Sequence, residues 1–527
     1  MKKVLVSDTL APEGIEIFKN APGIDVDVMT NLTPEELKGV IKNYDGLAIR
    51  SATKVTADII ENADKLKVIG RAGIGLDNVD TLAASKRGIV VMNTPGGNTI
   101  TTAEHAVAMM LALARKIPQA TISMKEAKWE KNKFTGSEVY NKTLGIIGIG
   151  RVGSIVANRA QGLKMNVIAY DPFISPETAE KAGVRLMDLD GVLAESDFIS
   201  IHSPLTDETR GLINAAAFEK MKDGVYIINC ARGGIIVEND LYDAILSGKV
   251  AGAALDVFEN EPTKNFDLLK LDSVISTPHL GASTDEAQRN VAIAIAKQIV
   301  DYLTKGEIKN AVNFPSVSAE MLALVQPHLD LAEKMGKLQS QIISGGTRDI
   351  ELEYSGEILD YDVAPVTISF LKGFLTPILG DNVNFINAPV IARERGIRVV
   401  ESRSSQTKDY TTLISSRVTT SKETSLLEGT IFGKQDPRIV RINEFTLDVM
   451  PEGHMILLYN RDRPGVIGNI GVTLGNSEIN IARLNLSREM SDGKALVVLS
   501  TDSPVSEDAL TQLKNLPNMI SVKRIEI

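Results

Sequence analysis

At 527 residues the chain is too long for a single hydrophobic core, and about 100–200 residues per domain implies three or four domains. Its 57 lysines and arginines against 67 aspartates and glutamates leave a net charge of −10, which argues against a general nucleic-acid or membrane-surface binder but leaves room for a local basic pocket. A single cysteine excludes an internal disulfide, and the five scattered histidines give no zinc-ligand spacing, so no metal is expected.

The opening Met1-Lys2-Lys3-Val4-Leu5-Val6-Ser7-Asp8 reads as a strand rather than a signal peptide, because its apolar run is short and ends at an aspartate. The longest helical apolar run, 106–114, falls far below the ~20 residues that span a bilayer, so a cytoplasmic protein is expected. Through the first hundred residues, strands are expected at 4–7, 25–29, 46–49, 66–70 and 89–93, with helices at 12–20, 34–43 and 56–63 between them. That alternation predicts a parallel sheet covered on both faces. A strong helix follows at 99–115, with Thr101 or Thr102 expected near its start and Glu104 in its first turns.

A second α/β unit opens at Thr143 and gives six strand candidates, at 143–148, 166–170, 198–202, 225–229, 251–256 and 274–277. A long apolar helix is expected over 290–304. From Ser316 the texture changes to helices and then Thr-, Ser- and Arg-rich strands, as in 399–409 and 411–420, without a catalytic constellation. The last ~80 residues carry a β-α-β-β-α-β order, the ferredoxin-like pattern, with a helix at 466–476 and strands near 455–459, 481–487 and 495–500. The expected architecture is therefore α/β: two doubly wound, Rossmann-like parallel-sheet domains, then an α+β domain and a ferredoxin-like domain. The expected boundaries are 1–98 with 288–315, 99–287, 316–445 and 446–527.

Gly148-Ile149-Gly150-Arg151-Val152-Gly153 follows a strand and opens a helix. Gly148 makes the tight turn, Gly150 lets backbone approach a pyrophosphate, and Gly153 permits close helix–strand packing, while the helix N-terminus offers amides to the anion. Asp171 ends the next strand, about eighteen residues beyond Gly153, where it can accept from an adenosine ribose. A carboxylate there repels a 2′-phosphate, so NAD is favoured over NADP. A tight βα turn of some other α/β protein is the plainer alternative, weakened by the coincidence of strand, helix and acid.

Beyond that loop come Arg232 in Asn229-Cys230-Ala231-Arg232-Gly233-Gly234, Glu261 in Glu259-Asn260-Glu261-Pro262, and His279 in Thr277-Pro278-His279-Leu280-Gly281-Ala282. Oxidation of a 2-hydroxy acid needs a base for the hydroxyl proton, a carboxylate to orient that base and stabilise its cation, and a cation for the substrate carboxylate. Taken singly, the histidine could be a loop residue, the glutamate a solvated carboxylate and the arginine a ligand of carbonyls at a strand end. All three fall at predicted strand C-termini of one nucleotide-binding sheet, where such folds bind ligands. The backbone at His202 is expected to line the cofactor pocket and Cys230 to pack beneath the nicotinamide end. His105 is expected to be a packing or interface residue.

These segments, with Gly70-Arg71-Ala72-Gly73-Ile74-Gly75-Leu76-Asp77-Asn78-Val79-Asp80 and Ala254-Leu255-Asp256-Val257-Phe258, resemble the D-isomer-specific 2-hydroxyacid dehydrogenases over essentially the whole chain. The chain is similar to the long-form members, which oxidise 3-phosphoglycerate and carry an intervening regulatory domain and a C-terminal ACT domain. The resemblance implies that Arg232, Glu261 and His279 are catalytic. It puts Arg151 and Val152 at the pyrophosphate, Asp171 at the ribose, and Ser203, Cys230, Ala231, Asp256, Gly281 and Ala282 around the nicotinamide. It gives the substrate carboxylate to backbone at Gly73 and Ile74, and the phosphate to Arg50 and Ser51. Lys131 and Lys133 become candidates for a basic contact from a neighbouring subunit, with solvated surface lysines as the alternative. Relatives often carry arginine where Lys131 falls, and lysine lacks the bidentate fork. Asn460, Asp462 and Asn480 fall where relatives bind L-serine across paired ACT domains, with turn-capping as the alternative. A homo-oligomer is implied, a dimer of catalytic units assembling into a tetramer.

Overall fold

The computed structural model describes residues 1–315, 319–405, 409–433, 435–489 and 493–527. Among them, four sheets organise the chain. The first is wholly parallel, in the order Ile24–Val28, Lys2–Val6, Gly46–Ile49, Val68–Arg71, Val90–Met92. The interior strand Lys2–Val6 shows why the sequence reads as a continuous apolar run. Val4 and Val6 point into one core with Ile295 and Ile299, while Leu5 points to the opposite face against Leu37, Ile41 and Ile59. The order reverses beside the first strand, so a crevice opens where Lys2–Val6 and Gly46–Ile49 end, near Asp8 and Arg50.

The second sheet is also parallel, with seven strands rather than the six expected. The addition is the two-residue edge strand Arg185–Leu186, too short to leave a period-two signature. Thr143–Ile147 lies between Asn166–Tyr170 and Phe198–Ile201, which makes its C-terminal end the switch point of this sheet.

The chain passes between these two domains twice. Residues 93–98 lead outward into the helix Thr99–Ala114. Thr101, Thr102 and Glu104 fall in its first turns as expected. Its N-cap is Asn98 without a side-chain cap, and Thr102 Oγ1 donates back to Asn98 O at 3.0 Å. The return is made by Asp285–Lys305, which starts five residues before the expected 290 because Thr284 caps it and Asp285 and Glu286 complement its first turn. This helix packs on the first sheet and against the helix Pro12–Asn20, there so tightly that a Cβ at Gly14 would lie 2.8 Å from Ala292 O. The two crossings touch: a Cβ at Gly97 would meet Val291 Cγ1 at 2.4 Å.

The third sheet is mixed, ordered Arg398–Ser404, Thr347–Gly356, Thr412–Thr420, Thr424–Phe432, Asp436–Ile442, Phe445–Val449, with only the first pair parallel. Its last strand continues to Val449, past the expected boundary at 445. Part of the expected strand 399–409 lies outside the described residues. The helices Ala319–Ile342 and Ala364–Leu379 cover this sheet and cross where glycines permit it, since a Cβ at Gly373 would fall 2.0 Å from Glu333 O.

The fourth sheet, ordered Ile481–Arg488, Lys494–Thr501, His454–Arg461, Met519–Glu526, is antiparallel and carries Val466–Asn476 and Glu507–Lys514 on one face, the ferredoxin-like arrangement. Its other face is not free. Met455, Leu457, Leu496, Val498 and Ile525 join one apolar core with Leu338, Phe445 and Val449 of the preceding domain. This C-terminal half touches the first domain through Ile386, through Asn384 donating to Gly88 O at 3.1 Å, and through a 2.6 Å ion pair between Lys86 and Glu394. Among the described residues no helix is long and apolar enough to cross a membrane.

Candidate active site

Three loops converge beyond the C-terminal strand ends of the second sheet. In the first, buried Asn229 shapes the turn: its Oδ1 accepts from Ala231 N at 3.0 Å and its Nδ2 donates to Arg232 O at 2.9 Å. The turn aims Arg232 across the interdomain cleft, where its Nε lies 3.3 Å from Asp77 Oδ2 of the first domain. A Cβ at Gly75 would stand 2.2 Å from Arg232 Nη2, so that approach requires glycine.

The other two loops bring Glu261 and His279 together. His279 Nδ1 lies 2.7 Å from Glu261 Oε2, and Phe258 N donates to Glu261 Oε1 at 3.2 Å. The hydrogen bond and charge of Glu261 raise the imidazole above its ordinary value, against partial burial. Burial works to raise Glu261, but the His279 contact holds it below the usual carboxylate range. With Nδ1 committed to Glu261, Nε2 is left for a substrate proton. The imidazole is half-exposed, so that nitrogen can be reached.

His279 has φ 56°, unusual for a residue with a side chain. The conformation is held from beneath by Asp256, which is 1% exposed. Asp256 O accepts from His279 N at 2.9 Å, Oδ1 accepts from Leu280 N at 2.7 Å and from Thr277 Oγ1 at 2.6 Å, and Oδ2 accepts from Gly281 N at 2.8 Å. His105, expected to be a packing or interface residue, instead faces this cluster, with Nε2 at 3.1 Å from Thr277 Oγ1 and 3.4 Å from Asp256 Oδ1.

The nucleotide loop has the shape that a dinucleotide needs. Gly148 has φ +90°, and a Cβ there would press 2.9 Å from the His202 carbonyl carbon. A Cβ at Gly153 would fall 2.1 Å from Gly148 O, while Gly150 faces open space. Asp171 ends Asn166–Tyr170 and turns back to accept from Ile149 N and Phe173 N, both at 2.9 Å, which fixes its carboxylate beside the loop. Ser203 Oγ is buried without a partner, a polar atom that a bound cofactor would satisfy. Arg151 donates to Pro95 O at 2.9 Å and so ties the start of the nucleotide helix to an interdomain crossing; Val152 follows it in the first turn. Cys230 is buried and its thiol is pushed up by that burial, so it is no nucleophile. His202 is pushed down to about 4 by burial and bonds Ser200, leaving a neutral ring away from the proton chemistry. These residues fit NAD.

Across the cleft, Arg50 is anchored by its amide to Asp8 Oδ2 at 2.6 Å and by Nη1 to Thr9 O at 3.3 Å, with exposed Ser51 beside it. Gly73 N donates to Arg71 O and its carbonyl accepts from Thr94 N, both at 3.0 Å, while Ile74 O accepts from Asn93 Nδ2 at 2.6 Å. The Gly73 amide is therefore engaged within the protein, and Ile74 contributes the freer backbone. Arg71 was not singled out in the sequence, although it stands in the quoted Gly70-Arg71 motif. Its guanidinium packs under Gly73, and its buried Nε has no partner. Burial, then the neighbouring Arg232 and Arg50 cations, lower Arg71 from its usual value, opposed by Asp77 and Asp8. Three guanidiniums thus gather at one cleft.

Other expected residues stay apart. Lys131 and Lys133 lie exposed on the short turn Lys131–Phe134, and Lys133 pairs with Glu130 of its own segment. Asn460 is buried, donates to Arg461 O at 2.9 Å and leaves Oδ1 without a partner. Asp462 stands 3.4 Å from Arg488. Asn480 bonds Asp502 beyond the Thr501–His454 end of the sheet, whereas Asn460 pairs with Ala495 at the other end. One chain does not unite these three residues.

Comparison with known proteins supplies the family. Residues 107–281 match the model for the D-isomer specific 2-hydroxyacid dehydrogenase NAD binding domain, and residues 324–443 match the D-3-phosphoglycerate dehydrogenase intervening domain. The chain is 46% identical over 528 aligned residues to a D-3-phosphoglycerate dehydrogenase of Archaeoglobus fulgidus, covering 100% of both chains. The chain belongs to the D-3-phosphoglycerate dehydrogenase family. A Bacillus subtilis protein of the same description is 41% identical, again over 100% of both chains. Among solved structures, the D-lactate dehydrogenase of Aquifex aeolicus complexed with NAD and lactic acid is 29% identical, with a TM-score of 0.54, and covers 60% of this chain and 100% of its own. Members of this family are oxidoreductases, and the matched domain is one that binds NAD.

Proposed function

We propose that the protein oxidises 3-phospho-D-glycerate to 3-phosphohydroxypyruvate with NAD, the first step of the phosphorylated route to L-serine. The observation that carries this reading is the 2.7 Å His279–Glu261 pair facing a cleft where Arg50, Arg71 and Arg232 converge. A substrate with a carboxylate and a phosphate has two anionic ends, and this cluster suits both.

In this reading Arg232 and the backbone at Ile74, set in place by Gly73 whose own amide is engaged, orient the substrate carboxylate and C2 oxygen, and Arg50, Ser51 and Arg71 receive the phosphate. Neutral His279 takes the C2 hydroxyl proton on Nε2, and Glu261 stabilises the imidazolium that forms. Bound NAD would supply the acceptor for the hydride leaving C2. The loop Gly148–Gly153 would hold its pyrophosphate and Asp171 its ribose. Ser203, Cys230, Ala231, Asp256, Gly281 and Ala282 would surround the nicotinamide end. Asp171 disfavours the extra charge of NADP.

The same reading makes the protein a homo-oligomer, a dimer of catalytic units paired into a tetramer. Lys131 and Lys133 would then approach the phosphate of a second subunit. The ferredoxin-like unit acts as an ACT domain that binds L-serine between two copies, which accounts for Asn460 and Asp462 lying far from Asn480 in one chain. A substrate panel tests the whole: 3-phosphoglycerate against lactate, glycerate and glycolate, with NAD or NADP, with and without L-serine. Turnover confined to a non-phosphorylated acid sinks the reading. In Arg50→Ala and Arg71→Ala, KM for 3-phosphoglycerate should rise by about tenfold or more while KM for NAD holds.

A further inference from the structure

The catalytic loop is held from two sides, and only one side contains the residues that perform chemistry. From the cleft side Glu261 grips the imidazole. From the interior, residues 277–281 are wrapped around the carboxylate of Asp256, which receives the Leu280 and Gly281 amides and the Thr277 hydroxyl. A buried carboxylate can serve as such a post only if it stays ionised and fixed, and three donors from the loop it holds cannot also fix its position. The fourth contact comes from another element. His105 projects from the helix Thr99–Ala114, one turn after Thr101 and Thr102. Those threonines also pack at the end of the loop: a Cβ at Gly281 would touch Thr102 Cγ2 at 3.5 Å, and Thr101 Oγ1 lies 3.4 Å from Oγ1 of Thr284, the cap of the helix that follows.

Donor accounting fixes the state of the ring. Thr277 has one hydroxyl proton and gives it to Asp256 Oδ1 at 2.6 Å. Nε2 of His105 therefore faces only acceptors, Thr277 Oγ1 at 3.1 Å and Asp256 Oδ1 at 3.4 Å, and must carry a proton. It is a donor to the pair and not a base.

We propose that His105 is a positioning residue for the proposed dehydrogenase reaction: by donating to Thr277 and Asp256 it locks the post on which the 277–281 loop sets His279 in its left-handed conformation. The inference rests on the functional reading above for its kinetic consequence, but its structural consequence can be read without turnover. Burial works to raise the Asp256 carboxyl, and the His105 contact heads the hydrogen bonds that hold it below its ordinary value. Loss of that donor loosens the amides of Leu280 and Gly281 first and the imidazole through them.

The experiment compares full-length wild type with His105→Leu, which keeps bulk without a donor, and His105→Gln, which keeps a donor at similar reach. Amide exchange at residues 280 and 281 should accelerate by about tenfold or more in His105→Leu, the range set by one hydrogen bond to a buried charge, and return towards wild type in His105→Gln. With 3-phosphoglycerate and NAD, kcat should fall about tenfold to a hundredfold in His105→Leu with KM for 3-phosphoglycerate within about threefold, and recover in His105→Gln. Unchanged exchange in His105→Leu overturns the proposal, as does equal damage in both variants in step with a lowered Tm, which marks simple packing. Accelerated exchange in His105→Leu from a wild-type chain that does not turn over 3-phosphoglycerate supports the lock and overturns the functional reading instead.

Discussion

The two halves of this molecule join their domains in opposite ways. In the catalytic half, each parallel sheet has its own cores, and what faces the gap between the domains is charged: Arg232 against Asp77, with Arg50 and Arg71 nearby. In the C-terminal half the gap is filled with Met455, Leu457, Leu496 and Val498 against Leu338 and Phe445. A polar seam loses little when water enters it, whereas an apolar seam loses the burial of every side chain it contains. The first seam can therefore part at small cost, whereas the second resists separation.

The largest effect expected from breaking this contrast lies in the cleft. His279→Ala should lower kcat by about 10²–10⁴-fold, the usual worth of a positioned general base, while NAD titration stays near wild type. A kcat within tenfold of wild type would remove the base from the mechanism. In the apolar seam, Leu457→Ala should cost about 2–5 kcal/mol and shift one calorimetric transition that includes both C-terminal domains. Separate melting of the ferredoxin-like unit would show the two to be independent. The smaller effect concerns pH. The proposed reaction uses neutral His279 as base, so kcat/KM should fall as pH drops through its raised pKa, which lies above the ordinary 6.5. Glu261→Gln removes the main cause of the upward shift, so the acid limb should move to lower pH even as the maximal rate declines. A limb that stays in place would assign it to another group.

Much of this was legible where function is written in neighbouring residues. Gly148, Gly150, Gly153 and Asp171 announce themselves because a strand, a tight turn and a helix fix their spacing in the chain. The partnership of Glu261 and His279 was within reach because both sit at the ends of adjacent parallel strands. Arg71 was not, since its meeting with Arg232 joins residues from two domains and no local period encodes it. The His105–Thr277 contact spans 172 positions and uses an ordinary helical histidine. The early start of Asp285–Lys305 was written in Thr284, Asp285 and Glu286, a capping signal overshadowed by the apolar stretch that follows. The shared C-terminal core was hidden because a strand apolar on both faces looks the same whether the second face meets its own helix or a neighbouring domain.

Gly97 lies so near Val291 that the outgoing and returning crossings form a single narrow hinge at one edge of the cleft. Two strands of chain side by side allow the domains to swing like a door about that edge, but resist sliding past each other. His279 lies six residues before the returning helix and Thr101 just after the outgoing crossing, both near the pivot, where a swing displaces atoms least. Arg232 and Asp77 face each other across the gap, and their contact would part early as the door opens. The same small rotation could therefore open the cleft and close it again while leaving His279 almost stationary.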